Sequence, residues 1–210
     1  MLQHRILCSG DGTFRPAVNL LGPSGALAAA DLNGDGNADL ISLGSTFPCS
    51  SETCVAILSV LLGNGDGSFR APLTSQYPQP FITPRALVVG DFNSDGKPDL
   101  AAISPFPSSP IFALGKGDGT FQPPVSLPSG SSIPNSILAG DLNGDGKTDL
   151  IVGSDVLLGN GDGTFQQPLS FPATGRGMTL GDFNGDGITD IAVVSFAQST
   201  VSILYVYICC

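Results

Sequence analysis

Basic residues are scarce in this sequence: eight Lys and Arg and a single His stand against 18 Asp and Glu in 210 residues, for a formal net charge of -10. So few cations cannot form a stripe that neutralises phosphates, which excludes a nucleic-acid partner. His4 lies at a terminus, and a Ser-His-Asp or Cys-His arrangement would have to be built around it alone, so the chain is expected to be non-catalytic. No run of 18 apolar residues exists. The longest candidate, residues 201–208, alternates and is strand-length, so no membrane insertion is expected. The first seven residues lack the basic region and apolar stretch of a secretory signal. Either the signal is absent or the chain is a piece of something longer. Charge is thin at 12%, yet mean hydropathy is positive, which argues against an acidic disordered chain.

What the sequence has in quantity is turn chemistry. Its 28 Gly and 17 Pro come largely as Asn-Gly, Asp-Gly and Ser-Gly pairs between short runs of Val, Ile, Leu and Phe. That composition predicts an all-β fold. The pattern Asp-x-Asn-x-Asp-Gly-x-x-Asp occurs four times, at residues 31–39, 91–99, 141–149 and 182–190. A second pattern, Gly-Asp-Gly-(Thr/Ser)-Phe, alternates with it at 10–14, 65–69, 117–121 and 161–165.

The nine-residue motifs begin 60, 50 and 41 residues apart, about the length of a four-stranded propeller blade. An apolar run enters each aspartate loop, a second leaves it, and a third meets the Gly-Asp-Gly turn, whose Asn-Gly and Asp-Gly steps supply positive φ for a tight hairpin. The Phe then opens a fourth strand. Four-stranded antiparallel units cannot bury both faces alone and must stack face to face. The expected fold is a single β-propeller domain over residues 1–210, with units near 21–74, 84–127, 134–171 and 175–208 and a half unit at 2–20. Two arrangements fit this count. In one, the N-terminal hairpin completes the last blade and closes a four-bladed ring; in the other, the chain is part of a larger ring.

Three carboxylates and an amide within nine residues repel one another unless a cation or a hydrogen-bonded turn compensates. Alternate spacing turns the oxygens at positions 1, 3 and 5 toward one centre, and Gly36, Gly96, Gly146 and Gly187 allow the sharp turn behind them. With a carbonyl at position 7 and a bidentate Asp at position 9, the set reaches the six or seven oxygens calcium prefers. Zinc would want His or Cys. An EF-hand needs Glu at position 12 followed by a helix, whereas position 12 here is Ser42, Ala102, Val152 or Val193, within apolar strand-like runs. The loops resemble those of FG-GAP repeats, also called VCBS repeats, of the integrin-α-type β-propeller. Residues 90–100, Gly-Asp-Phe-Asn-Ser-Asp-Gly-Lys-Pro-Asp-Leu, and 157–165, Leu-Leu-Gly-Asn-Gly-Asp-Gly-Thr-Phe, carry the resemblance, which runs from Gly10 to about Val194.

The resemblance implies one calcium per aspartate loop, about four in all. The ligands would be Asp31, Asn33, Asp35 and Asp39 with the carbonyl of Asn37, and Asp91, Asn93, Asp95 and Asp99 with that of Lys97. The third and fourth sets would be Asp141, Asn143, Asp145 and Asp149 with Lys147, and Asp182, Asn184, Asp186 and Asp190 with Ile188. The integrin-type ring has seven blades, so this chain departs from it in blade count. Twelve of the 18 acidic residues lie in these loops, and four divalent ions would bring the net charge from -10 to about -2.

Asp66, Asp118 and Asp162 are expected to form turns, and Phe14, Phe69, Phe121 and Phe165 to pack between blades. Cys49 and Cys54 bracket a short loop and are candidates for a disulfide, while Cys8, Cys209 and Cys210 have no evident partners. The functional expectation is an extracellular or cell-surface calcium-binding module that recognises a protein or carbohydrate, as a monomer or as part of a longer chain. The alternative is an accessory domain of a larger secreted enzyme, such as one that degrades polysaccharides. The variable stretches 45–54, 75–84 and 105–110, with Tyr77, Phe81 and Phe106, are where a partner would be sought.

Overall fold

The computed structural model describes residues 19–20, 22–23, 25–45, 55–77, 84–104, 110–128, 134–172, 177–195 and 199–207. The 10–14 hairpin, His4, Phe81, Phe106 and all five cysteines, with the Cys49–Cys54 pairing, lie outside these residues. Among the described residues there is no helix, and the chain forms four antiparallel sheets. The all-β expectation is met.

Each sheet takes its strands in chain order. Sheet 1 is β1 (Gly25–Ala30), β2 (Asp39–Ser45), β3 (Ala56–Leu61) and β4 (Leu73–Tyr77). Sheet 2 is β5 (Ala86–Gly90), β6 (Asp99–Ile103), β7 (Ile111–Ala113) and β8 (Val125–Ser126). Sheet 3 is β9 (Ile137–Gly140), β10 (Asp149–Val152), β11 (Asp155–Leu157) and β12 (Leu169–Ser170). Sheet 4 has three described strands, β13 (Gly177–Gly181), β14 (Asp190–Ser195) and β15 (Thr200–Leu204). Because neighbours run antiparallel, the aspartate loop between the first and second strands and the Gly-Asp-Gly hairpin between the third and fourth emerge at the same end of each sheet. The connections after the second and fourth strands emerge at the opposite end.

Period-two alternation decides which side chain meets which neighbouring sheet. On β6, Leu100 and Ala102 join Ile41, Leu43, Leu58 and Val60 of sheet 1, whereas Ala101 and Ile103 join Leu150, Val152 and Leu157 of sheet 3. Ile151 then faces Ile191 and Val193 of sheet 4. A central strand covered on both faces has no polar side to alternate with, which is why Leu100 to Ile103 reads as unbroken apolar sequence. Burial of each Leu, Ile or Phe at these contacts is worth roughly 1.5–3 kcal/mol. The sheets converge at their first strands: β1 lies on β5, β5 on β9 and β9 on β13, while the fourth strands stand apart. That is the disposition of propeller blades, and with no comparable packing of β13 on β1 the described arc is open.

Two of the four recurrent Phe stitch blades together, whereas Phe69 is half-buried outside the core clusters and Phe14 lies outside the described residues. Phe165 of sheet 3 meets Phe92 and Phe112 of sheet 2, with ring centroids 5.8 and 5.6 Å away and the Phe112 pair edge-to-face. Phe121 is buried in the contact with sheet 1. Residues 75–77, expected within a variable loop, instead continue β4, pairing opposite Leu58, Ile57 and Ala56. Tyr77 packs on the core, so it is not a free contact surface.

Three glycines are required by close approach. A Cβ at Gly115 would stand 1.9 Å from the Pro98 carbonyl oxygen, and at Gly63 or Gly159 it would stand 2.3 Å from that of Ala38 or Thr148. The third strand thus presses directly on the end of the aspartate loop. Gly115→Ala must move backbone, and is predicted to cost about 2 kcal/mol or more, read from the urea unfolding midpoint. An unchanged midpoint would show that the two segments are not held in contact.

Candidate metal centres

Each aspartate loop closes on its own amides. Asp31 Oδ1 accepts the N–H of Gly34 at 2.8 Å, and its Oδ2 accepts that of Gly36 at 2.8 Å. Asp141 and Asp182 repeat both bonds, and Asp91 accepts from Asp95 and Gly96. The amide oxygens of Asn33, Asn93, Asn143 and Asn184 accept the N–H two residues on, as an Asx turn does. At position 5, Asp35, Asp95, Asp145 and Asp186 accept the N–H of Asn37, Lys97, Lys147 and Ile188. Gly34, Gly144 and Gly185 hold φ of 73°, 72° and 80°, and the second loop places Ser94 there at 60°.

Position 9 differs from the rest. Asp39, Asp99, Asp149 and Asp190 are buried, each as the first residue of its sheet's second strand. One oxygen of Asp39 accepts the N–H of Leu32 at 2.9 Å, across its own loop, and the other accepts that of Gly63 at 2.7 Å, at the end of the third strand. Asp99 holds Phe92 and Gly115, Asp149 holds Leu142 and Gly159, and Asp190 holds Phe183 and Val206. Burial pushes the Asp99 and Asp149 carboxyls above the ordinary aspartate range, and the two amide bonds at each pull the other way. Sequence reasoning gave these four residues to the metal alone. Their second partner had a signal in the sequence, the glycine standing before each hairpin at 63, 115 and 159.

Cations already stand beside three of the position-5 carboxylates. Arg70 lies 3.7 Å from Asp35, Lys97 3.9 Å from Asp95 and Lys147 3.6 Å from Asp145, all at the surface. The Asn33 side chain, followed by the Asn37 amide, holds Asp35 below the usual carboxylate range, and the Lys147 amide does most to hold Asp145 there. The hairpin aspartates are engaged as turn formers: Asp66, Asp118 and Asp162 accept both the hydroxyl and the amide of Ser68, Thr120 and Thr164. The hydroxyl bond is the larger cause of their lowered pKa.

In kind, the loop donors fit a hard cation, being all oxygen and mostly carboxylate. In disposition they are arranged as a turn: among the described residues no three His, Cys, Asp or Glu side chains are gathered closely enough to hold an ion. A carboxylate oxygen that accepts one N–H keeps acceptor capacity, so the turn and an ion do not compete for the same electrons.

The FG-GAP-like repeat family matches residues 91–152 and 153–193, the segments that carry the second, third and fourth aspartate loops. Residues 91–193 are FG-GAP-like repeats. Among solved structures, this chain is similar to BBS1N in complex with ARL6DN from a lead-soaked crystal, at 14% identity and a TM-score of 0.53, covering 89% of this chain and 58% of that one. An Agrocybe aegerita lectin, described for specific recognition of non-reducing terminal N-acetylglucosamine, matches at 18% identity and a TM-score of 0.47, over 80% of this chain and 60% of that one. The V. cholerae biofilm matrix protein Bap1 matches at 18% identity and a TM-score of 0.47, over 85% of this chain and 26% of that one. At these identities the likeness is one of fold, and the chain spans about three-fifths of the first two proteins. No curated protein sequence matches it.

The two classes of aspartate separate by mutation. In chelator, Asp99→Ala leaves two buried amides without an acceptor and is predicted to cost about 2 kcal/mol or more, while Asp95→Ala at the rim should stay within about 0.5 kcal/mol of the parent. Equal losses in urea unfolding would contradict the assignment.

Proposed function

We propose that this chain is a non-catalytic, calcium-binding recognition module that works outside the cell, where it presents a stack of blades to a protein or carbohydrate. The observation that carries the reading is a fourfold repetition: the same oxygen-only loop stands at the same end of four successive sheets, with rim oxygens near solvent and the ninth-position aspartate committed to the fold. Asp31, Asn33 and Asp35 with the Asn37 carbonyl, and the equivalents in the other loops, would hold the ion, and Asp39 and its equivalents would reach it with their remaining acceptor capacity. Bound calcium would supply charge neutralisation and cross-linking of the loop. It would add no reactive group.

Millimolar calcium suits such loops, since extracellular modules bind with dissociation constants of about 0.1–1 mM. At about 1 mM calcium a site at the tighter limit adds roughly 1.4 kcal/mol, so four sites approach a typical domain's whole stability. In loops 2 and 3, Lys97 and Lys147 stand where the ion's charge is needed and weaken its binding. Loop 4 has Ile188 at that position and no ion pair among the described residues. A partner would be sought at the opposite end of the sheets, beyond the ends of β2 and β6, so metal and partner need not exclude each other.

Calorimetric titration of metal-stripped protein should show about four calcium ions, little response to magnesium, and a melting temperature that rises with calcium. Asp182→Asn should remove one ion. Absence of any binding would refute the calcium reading. A glycan and matrix-protein array probed with the calcium-loaded chain tests recognition separately, and specific capture that survives Asp182→Asn is the expected result. An empty array would favour an accessory role within a larger enzyme.

A further inference from the structure

Sheets 1, 2 and 3 each end on a fourth strand whose far edge is unpaired among the described residues, and these three edges are not alike. β8 and β12 are two residues long, whereas β4 runs for five, Leu73–Tyr77. The lengths follow the spacing of proline. Pro124 and Pro128 leave three residues between them, as do Pro168 and Pro172, while Pro72 and Pro78 leave five. A two-residue edge flanked by proline offers too few backbone groups to template another strand.

The β4 edge lacks those safeguards. The strand contains no proline, glycine or charge, and the sequence carries no charged residue between Arg70 and Arg85. Leu73 to Gln76 are exposed. The register with β3 runs unbroken from Val60 opposite Leu73 to Ala56 opposite Tyr77, without a bulge to twist the edge away. Its outward N–H and C=O groups therefore stand in a regular row.

The strand is also complementary to itself. Turned antiparallel about Ser75, it sets Thr74 opposite Gln76 of a second copy, and Leu73 opposite Tyr77. Period-two alternation puts these pairs on opposite faces. Polar then meets polar on one face, and on the other Leu73, 38% exposed, falls beside the half-buried Tyr77. Charge selects the same direction. Leu73 lies toward the aspartate-loop end of sheet 1 and Tyr77 toward the opposite end. A parallel pair would bring two acidic rims side by side, whereas an antiparallel pair holds them apart.

We propose that the free edge of β4 pairs antiparallel with β4 of a second copy of this chain, about a two-fold axis at Ser75, joining two copies of sheet 1 into one eight-stranded sheet. The contact is isologous, so it closes as a dimer. Its short length places it among weak, reversible interfaces. Only the outermost strand is used, and the aspartate loops stay open.

Sedimentation equilibrium of the full chain in low-salt calcium buffer, from about 1 to 300 μM, tests this. The parent should pass from monomer to dimer and stop there. T74K/Q76K sets Lys opposite Lys twice across the axis and should raise the dimer dissociation constant about tenfold or more. T74E/Q76E should weaken the dimer similarly, and the two variants mixed should form a heterodimer. T74K/Q76E sets Lys opposite Glu in the antiparallel register and like charges together in the parallel one, so it should dimerise at least as well as the parent. Circular dichroism checks that each variant keeps its sheets, and the glutamate pair replaces the lysine pair if the latter unfolds. A parent that stays monomeric at every concentration overturns the proposal and leaves the edge to an extended peptide of another protein. A dimer that T74K/Q76K does not weaken overturns it by placing the contact elsewhere, and a monomeric T74K/Q76E overturns the register.

Discussion

A buried carboxylate that accepts two amides is the constraint on which each repeat depends. Asp39 ties the start of its own loop at Leu32 to the end of the third strand at Gly63, so one side chain fixes the relation of three strands. Burying a charge is costly, and the raised pKa of Asp99 and Asp149 registers that cost. The cost is met because both amides would otherwise be buried without partners. The same demand explains the glycine at 63, 115 and 159: the third strand can reach the carboxylate only by pressing its backbone against the loop.

From that fixed point the rest of the blade follows. With position 9 turned inward, the oxygens of positions 1, 3 and 5 are left at the rim and are organised by loop amides into a preformed acidic turn. The hairpin beside it, closed by Asp66, Asp118 or Asp162 on a following Ser or Thr, brings a glycine amide to the edge of its sheet. Where a preceding blade exists, that amide finds the carbonyl of its loop, and the following Phe packs into the seam. Propagation from blade to blade thus uses one amide, one aromatic ring and two alternating strand faces. Stability in such an array is a sum of units and interfaces.

The repeat, the sheet class and the loop positions were legible because they depend on local chemistry: Gly at positive φ, Asx turns and period-two apolar runs. The separation of Asp39 from Asp31 and Asp35 was not, since all three are aspartates in one motif and only the pairing of Asp39 opposite Ala30 buries it. Tyr77 read as loop because Ser75 and Gln76 beside it are polar, yet they lie on an exposed edge strand whose register with β3 continues to Ala56. The Val206 backbone takes the place of a glycine in the fourth repeat, a substitution that motif matching misses and hydrogen bonding to Asp190 reveals.

Amide hydrogen exchange by NMR, in chelator and again in calcium, addresses the central division most directly. The account predicts that the amides of Leu32, Gly63, Phe92, Gly115, Leu142 and Gly159 exchange slowly in both conditions, while those of Gly36, Gly96 and Gly146 slow only when calcium is added. Rapid exchange of the first group in chelator would contradict it, because the buried aspartates would then hold nothing without the ion.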